Sequence, residues 1–233
     1  MVYLVMKLMS KLLKALFAVC DYVIIPTVWG AKFLLPKGPS FAESRYLTLA
    51  LGIVEPQWSD YFDFWVTKSK VFVDVGAASD GYYTIRACKL NPTIRVVAVE
   101  PLLTEYKYLL VNIKINSCSN EVIPINVALG KRAGVIEISR QKVTCIALDD
   151  LVLRLGLPSI DVIKIDVEGC GAEVIEGGLK TILSSKPIIF FEIHNIFEKQ
   201  AIQSLRKYGY KVIERHGGMY ILLPSIQERS KLS

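Results

Sequence analysis

The sequence predicts an α/β domain on a mostly parallel sheet with helices on both faces, preceded by an N-terminal helical extension. Three observations carry this. From Val71 onward, short β-branched apolar runs alternate with helix-patterned stretches, the order that right-handed strand–helix–strand crossovers require. Most of those runs lack polar alternation, as strands covered on both faces do. The cluster "PKGPS" at Pro36–Ser40 marks a linker, dividing the chain into an extension at residues 1–40 and a domain at 41–233.

Each element follows from its pattern. "VFVDVG" (71–76) reads as a strand, "GYYTIRACKL" (81–90) as a helix and "IRVVAVE" (94–100) as a second strand. A helix over 104–116 leads to a third strand over 121–129, where Pro124 is a local irregularity. Residues 134–139 and 142–148 form an added hairpin, and "DDLVLRLGL" a helix in which Asp149 or Asp150 serves as cap and dipole partner. "IDVIKIDV" is the fourth strand, "GAEVIEGGLKTILSS" a helix, "PIIFFEI" the fifth strand and "FEKQAIQSLRKYG" a helix. "YKVIERHGGMYILLP" closes the chain as an antiparallel hairpin. The aromatic run "YFDFW" (61–65), with Trp58, reads as packing ahead of the first strand.

Composition bounds the function. A chain of 233 residues, 52% hydrophobic and 21% charged, buries a full core. Of its net charge of +6, +4 falls in the first forty residues, so the body is nearly balanced and a nucleic-acid partner is not expected. Five scattered cysteines without a CxxC pair predict reduced thiols, with neither a disulfide framework nor a metal site, and a cytoplasmic location. In the extension, Lys7, Ser10, Lys11, Lys14 and Asp21 share a narrow polar stripe on an apolar helix. Such a helix either lies in a bilayer interface, placing residues 1–35 at the inner face of the membrane, or packs on protein.

Two strand ends carry acids where ligands bind in such sheets. Asp74 ends the first strand, and Gly76 and Gly81 follow, allowing close backbone approach and a helix start. Glu100 ends the second, where a carboxylate accepts hydrogen bonds from both hydroxyls of a ribose. Together they indicate an adenosine-containing ligand. "GAASDG" lacks the GxGxxG spacing of a pyrophosphate site, and Asp74 and Asp80 repel phosphate but suit a cation. S-adenosylmethionine, with a sulfonium, an ammonium and no phosphate, is compatible.

The segments "DVGAASDGYYT", "VVAVEP", "NVALG", "IALDDL", "DVIKIDVEG" and "PIIFFEIHN" occur in the order found in the FkbM family of S-adenosylmethionine-dependent methyltransferases, which this chain resembles over Val71 to Asn195. The resemblance implies a Rossmann-like class I methyltransferase with a seven-stranded sheet and an antiparallel last strand. It also implies methyl transfer to a hydroxyl of a glycan, glycolipid or other small molecule. Its cofactor set is Asp74, Gly76, Ala77, Asp80, Gly81 and Glu100, with Asn126 bordering the adenine. Two departures stand out: the loop from Asp74 to Gly81 is one residue longer than the family pattern, and Gly171 stands where that pattern has an acid, whose role is then absent or supplied by Glu173.

Lys164, Asp166 and Glu168 are spaced by two and share a face if the strand stays regular. They then form a charged mouth beside the methyl donor, with Lys164 neutralising the acids. A hydroxyl acceptor benefits from a positioned base, and His194, two residues after Glu192, is assigned that role, with Glu192 orienting it or binding the acceptor. Asp166 is the alternative base. Competing readings are an RNA or protein methyltransferase and a membrane-associated cofactor-binding protein without turnover.

Overall fold

The structure, a computed structural model, describes residues 11, 15–37, 48–118, 122–216 and 218–225. The polar stripe expected on Lys7, Ser10 and Lys14 lies outside them. Residues 15–19 are helical, but the extension then departs from the expected helix. β1 (Tyr22–Pro26) and β2 (Lys32–Pro36) pair as an antiparallel hairpin. The segment alternates: Val23, Ile25, Phe33 and Leu35 are buried while Tyr22 and Ile24 are exposed. That period-2 face is strand chemistry. The hairpin joins the core of the domain, and Asn112 and Asn116 satisfy its edge through the backbone of Leu34 and Lys32.

The main sheet has seven strands: β3 (Val71–Val75), β4 (Arg95–Val99), β5 (Val122–Ile125), β9 (Val162–Ile165), β10 (Ile188–Glu192), β11 (Tyr210–His216) and β12 (Met219–Pro224). Their spatial order is β11-β12-β10-β9-β3-β4-β5. Five central and edge strands run parallel, and β12 is antiparallel to both neighbours. This is the expected seven-stranded arrangement. Helices cover both faces: α1 (Pro56–Val66), α2 (Tyr82–Leu90) and α3 (Leu103–Ile115), then α4 (Leu148–Arg154), α5 (Gly171–Gly177), α6 (Leu179–Ser185) and α7 (Ile196–Lys207).

Strand alternation decides which side chains meet. Phe72, Val162 and Phe190 point into one buried cluster, with Trp58, Phe62 and Tyr83 of the helices, while Val73, Ile163 and Phe191 point into the other. The rings interlock, Phe62 lying 4.8 Å from Tyr83 and 5.2 Å from Phe72 by ring centroids. Asp74 and Lys164, which are register partners, and Glu192 share the Phe72 face by the same parity. The buried charges noted in the sequence therefore gather on one side of the sheet near its carboxyl edge.

Several boundaries differ from expectation for identifiable reasons. The strand over 121–129 breaks after Ile125, and Ala128–Gly130 becomes β6 of a second sheet beside β7 (Gly134–Ile138) and β8 (Gln141–Ala147). The helix over 171–185 divides at Gly178, where a Cβ would lie 2.5 Å from Leu148. Asp149 caps α6 rather than its own helix, accepting from Thr181 N at 2.8 Å. The expectation of five reduced thiols is also corrected. Cys88 near the end of α2 and Cys118 just past α3 form a disulfide, so cysteine usage no longer argues for a reducing compartment. No helix among the described residues is long and apolar enough to cross a membrane.

Candidate active site

β3 and β9 approach so closely at their carboxyl ends that only glycine is accommodated at position 76. Gly76 has φ +83°, and a Cβ there would fall 1.9 Å from the carbonyl oxygen of Asp166. Val99 O receives both Gly76 N–H and Ala77 N–H at 3.0 Å, tucking the loop against β4. Glu100 then closes the loop: Oε2 accepts from Ala78 N at 3.0 Å and Oε1 from Leu102 N at 2.9 Å. Ala78, with φ +56°, holds the left-handed conformation that aims its N–H at this carboxylate.

Beside that loop opens a cavity of about 280 Å³, near the lower end of ligand sites at roughly 300 Å³. Its polar wall carries Glu100, Glu105, Asp166 and Glu168, and none of the residues lining it is basic. Its apolar wall includes Val99, Leu129, Ile136 and Ile138, the last two from the β7 strand of the added hairpin. Burial pushes the Glu100 carboxyl up to about 7, against the two backbone N–H groups that favour its charged form.

Of the cofactor set read from the sequence, Gly76 and Glu100 line the cavity directly. Asp74 stands behind it, 1% exposed; Oδ2 accepts from Thr84 Oγ1 at 2.7 Å, while Oδ1 has no hydrogen-bond partner. Ala77 is buried beneath the loop. Asp80 is also buried and accepts from Tyr82 N at 3.0 Å, fixing the first turn of α2. Gly81, at φ +59°, gives way to Leu109, whose Cδ1 would be 2.5 Å from a Cβ. Asn126 does not line the cavity; its amide donates to the carbonyls of Glu100 and Pro101 at 2.8 and 3.0 Å, turning the chain out of β5.

The catalytic set is brought together with two corrections. Lys164 Nζ donates to Asp166 Oδ2 at 3.1 Å, and His194 Nε2 lies 3.3 Å from Asp166 Oδ1. A carboxylate oxygen of Glu192 lies within 4.8 Å of Asp166 and His194. His194 thus pairs with Asp166, not with Glu192 as its expected orienter. The fourth strand does not remain regular to Glu168 either: β9 ends at Ile165, and Glu168 sits at φ +47° in a turn, exposed, on the cavity rim. It shares the cavity wall with Asp166 but not the strand face of Lys164.

Electrostatics order this group. Burial raises the Asp166 carboxyl, but the adjacent Lys164 ammonium and further hydrogen bonds outweigh it and hold Asp166 below the usual carboxylate range. Burial and the neighbouring Asp166 push Glu192 up to about 7. Burial also raises Asp74, despite Lys164 and Thr84. Asp166, Glu192 and His194 offer three donor atoms within 4.8 Å of one another, a spacing that could hold a metal ion, although the Lys164 ammonium already neutralises Asp166.

Three contributors escaped the sequence. Thr84 holds Asp74. Glu55, at φ +47° and at the start of α1, accepts a hydrogen bond from Tyr83 OH, and Lys164 Nζ lies 5.2 Å from the centre of the Tyr83 ring. No local pattern marks either residue. Glu198 carries one local signal, the fourth residue of an "NIFE" capping box, and that marks a helix start rather than a site.

Comparison with known proteins bears on the same region. The sequence model of the Methyltransferase FkbM domain matches residues 74–212. Among solved structures, methyltransferase FkbM from Methylobacillus flagellatus KT superposes with a TM-score of 0.54 at 16% identity, over 66% of this chain and 43% of that one. The chain therefore spans less than half the length of that protein. A METTL16 MTase domain superposes with a TM-score of 0.57 at 13% identity, over 88% of this chain and 87% of that one. At such identities the structural likeness shows the fold. No curated protein matches the chain.

Proposed function

Because the chain belongs to the FkbM methyltransferase family, we propose that it transfers a methyl group from S-adenosylmethionine to a hydroxyl of a saccharide, glycolipid or related small molecule. The observation that carries the cofactor assignment is the cavity wall of four carboxylates with no basic residue among those lining it. A pyrophosphate would be repelled there, whereas a sulfonium nucleoside is attracted. When bound, S-adenosylmethionine supplies an electrophilic methyl group.

The chain's own residues do the rest. Glu100, pinned through one lone pair on each oxygen, keeps a second lone pair on each for the two hydroxyls of a ribose. Gly76 leaves the backbone bare beside the cavity, and Asp74, buried behind the loop and bonded to Thr84, ties β3 to the first turn of α2. Val99, Leu129, Ile136 and Ile138 supply the apolar wall against which a base packs. On the acceptor side, Asp166 stays ionised beside Lys164 and receives Nε2–H of His194, which leaves Nδ1 free to take the acceptor's hydroxyl proton. Such a positioned base contributes about 10²- to 10⁴-fold, and alignment of the acceptor oxygen contributes more.

An acceptor rich in phosphate is disfavoured by the same acids, which ranks RNA below a neutral hydroxyl compound. We also place the N-terminal part at a membrane surface. The outward side of the β1–β2 hairpin presents Tyr22 at 56% and Ile24 at 51% exposure, with Val28 at 76% on its connecting turn and Lys32 and Lys37 alongside. The test of the activity is methyl transfer from labelled cofactor to fractions of a cell extract. Label is expected in the saccharide or glycolipid fraction. Label in RNA or protein reassigns the acceptor, and S-adenosylhomocysteine binding without any labelled product supports a binding protein.

A further inference from the structure

Glu198 is completely buried, yet it is a carboxylate in the first turn of a helix. Its partners explain the burial. Oε1 accepts from Gly171 N at 2.8 Å, and Oε2 accepts from His194 N at 2.6 Å and from Asn195 N at 3.1 Å. Asn195 Oδ1 in turn accepts from Glu198 N at 3.0 Å, and Asn195 Nδ2 donates to Gly169 O at 2.7 Å. A capping box requires only the bonds between Asn195 and Glu198. Those to Gly171 and His194 go beyond it.

The extra bonds join two loops. One, between β9 and α5, carries Asp166; the other, between β10 and α7, carries His194. These are the loops across which His194 Nε2 meets Asp166 Oδ1. This buried carboxylate, with the Asn195–Gly169 bond beside it, thus fixes the separation of the pair proposed to handle the acceptor proton.

Position 171 shows where that carboxylate sits relative to the family pattern. A Cβ on Gly171 would come 2.9 Å from Glu198 Oε1 and 2.3 Å from Phe191 Cε2. A side chain at 171 and the present Glu198 carboxylate cannot share this space without a shift. The resemblance implies an acid at 171; here the position is glycine and the Glu198 carboxylate enters the same space from α7.

We propose that Glu198 is the positioning residue of the site, holding His194 against Asp166. The inference rests on the proposed function only for the roles of His194 and Asp166, since its geometry can be measured without turnover. The chain has two histidines, so its imidazole ¹⁵N spectrum contains two sets of signals, assigned with His216→Gln. The full chain is compared, at one pH, with Asp166→Asn, Glu198→Gln and Asn195→Ala. Glu198→Gln keeps the volume but offers the cluster of N–H groups one acceptor oxygen in place of two. It is expected to move the His194 ring signals toward their positions in Asp166→Asn and to leave those of His216 in place. Asn195→Ala breaks the cap and the bond to Gly169 O but leaves the Glu198 bonds to Gly171 and His194 in place, and is expected to move the His194 signals less than Glu198→Gln does. Unmoved His194 signals in Glu198→Gln, or equal movement in Glu198→Gln and Asn195→Ala, would overturn the proposal, since a mere cap predicts one or the other. Should Glu198→Gln not fold, Glu198→Asp serves, because its shorter arm cannot span both loops, and the same outcomes decide. If labelled methyl transfer fails while the ring signals move as expected, the function falls and the positioning stands; transfer with unmoved signals gives the reverse.

Discussion

Lys164 Nζ and Asp166 Oδ2 lie 3.1 Å apart at the carboxyl end of β9, with side chains 6% and 28% exposed. Burial alone would lower the basicity of the ammonium, but Asp166, Asp74 and Glu55 surround it and hold it above the usual lysine range. Lys164 is therefore the fixed positive charge around which three carboxylates are arranged.

Removing that charge leaves the acids unopposed. Lys164→Met is expected to cost about 3–5 kcal/mol, the usual penalty for orphaning one member of a buried ion pair. The double variant Lys164→Met/Asp166→Asn should recover part of that loss, because the stranded carboxylate is gone. Urea denaturation of the two variants checks this, and a double variant no more stable than Lys164→Met would show that the pair is not the dominant coupling.

Glu100 gives a pH dependence whose sign can be worked out. Its folded pKa of about 7 exceeds the ordinary 4.5, so between these values the folded chain holds more protons than the unfolded one. Stability from this group is complete below pH 4.5 and is lost as pH rises through 7, by about 3 kcal/mol in all. Ligand binding runs the other way, because only the ionised carboxylate accepts from both ribose hydroxyls. S-adenosylhomocysteine affinity measured by calorimetry should rise from pH 6 to pH 8, and Glu100→Gln should bind more weakly, with that rise reduced. A pH dependence unchanged in Glu100→Gln would remove Glu100 from the ribose.

What could be read in the sequence follows from how local each signal was. Buried strands and their charged ends were visible at Val71–Gly76 and Ile160–Asp166 because composition and period are carried by adjacent residues. Glu100 was found because a strand end followed by an acid has a fixed place in this topology. The hairpin at Tyr22–Pro36 was misread because the lysines and apolar residues before it suggested one continuous helix, while the alternation of Val23 and Ile25 is only five residues long. Asp74, expected in the cofactor set from its place at a strand end, lies behind the cavity instead, because position along a strand does not encode the depth of a side chain. Cys88 and Cys118 are brought together by the packing of α2 and α3, thirty residues apart, which spacing does not encode. Glu198 required the same kind of long-range knowledge, since its partners at Gly171 and His194 come from different loops.

The hairpin changes how membrane association should be tested. Truncation before Lys37 would remove Phe33 and Leu35, which are fully buried in the core, and would confound detachment with unfolding. Point substitutions on the outward face avoid this, since Tyr22 pairs with Pro36 and Ile24 with Leu34 on the side away from the core. Burying a large apolar side chain contributes roughly 1.5–3 kcal/mol, and each lysine near an anionic surface about 1 kcal/mol. The full chain is expected to float with vesicles containing phosphatidylglycerol and to sediment with purely phosphatidylcholine vesicles. Tyr22→Ser/Ile24→Ser/Val28→Ser should reduce flotation at least tenfold while leaving S-adenosylhomocysteine affinity unchanged. Full flotation by that variant would assign any membrane contact to another surface, and failure of the unaltered chain to float would end the membrane proposal.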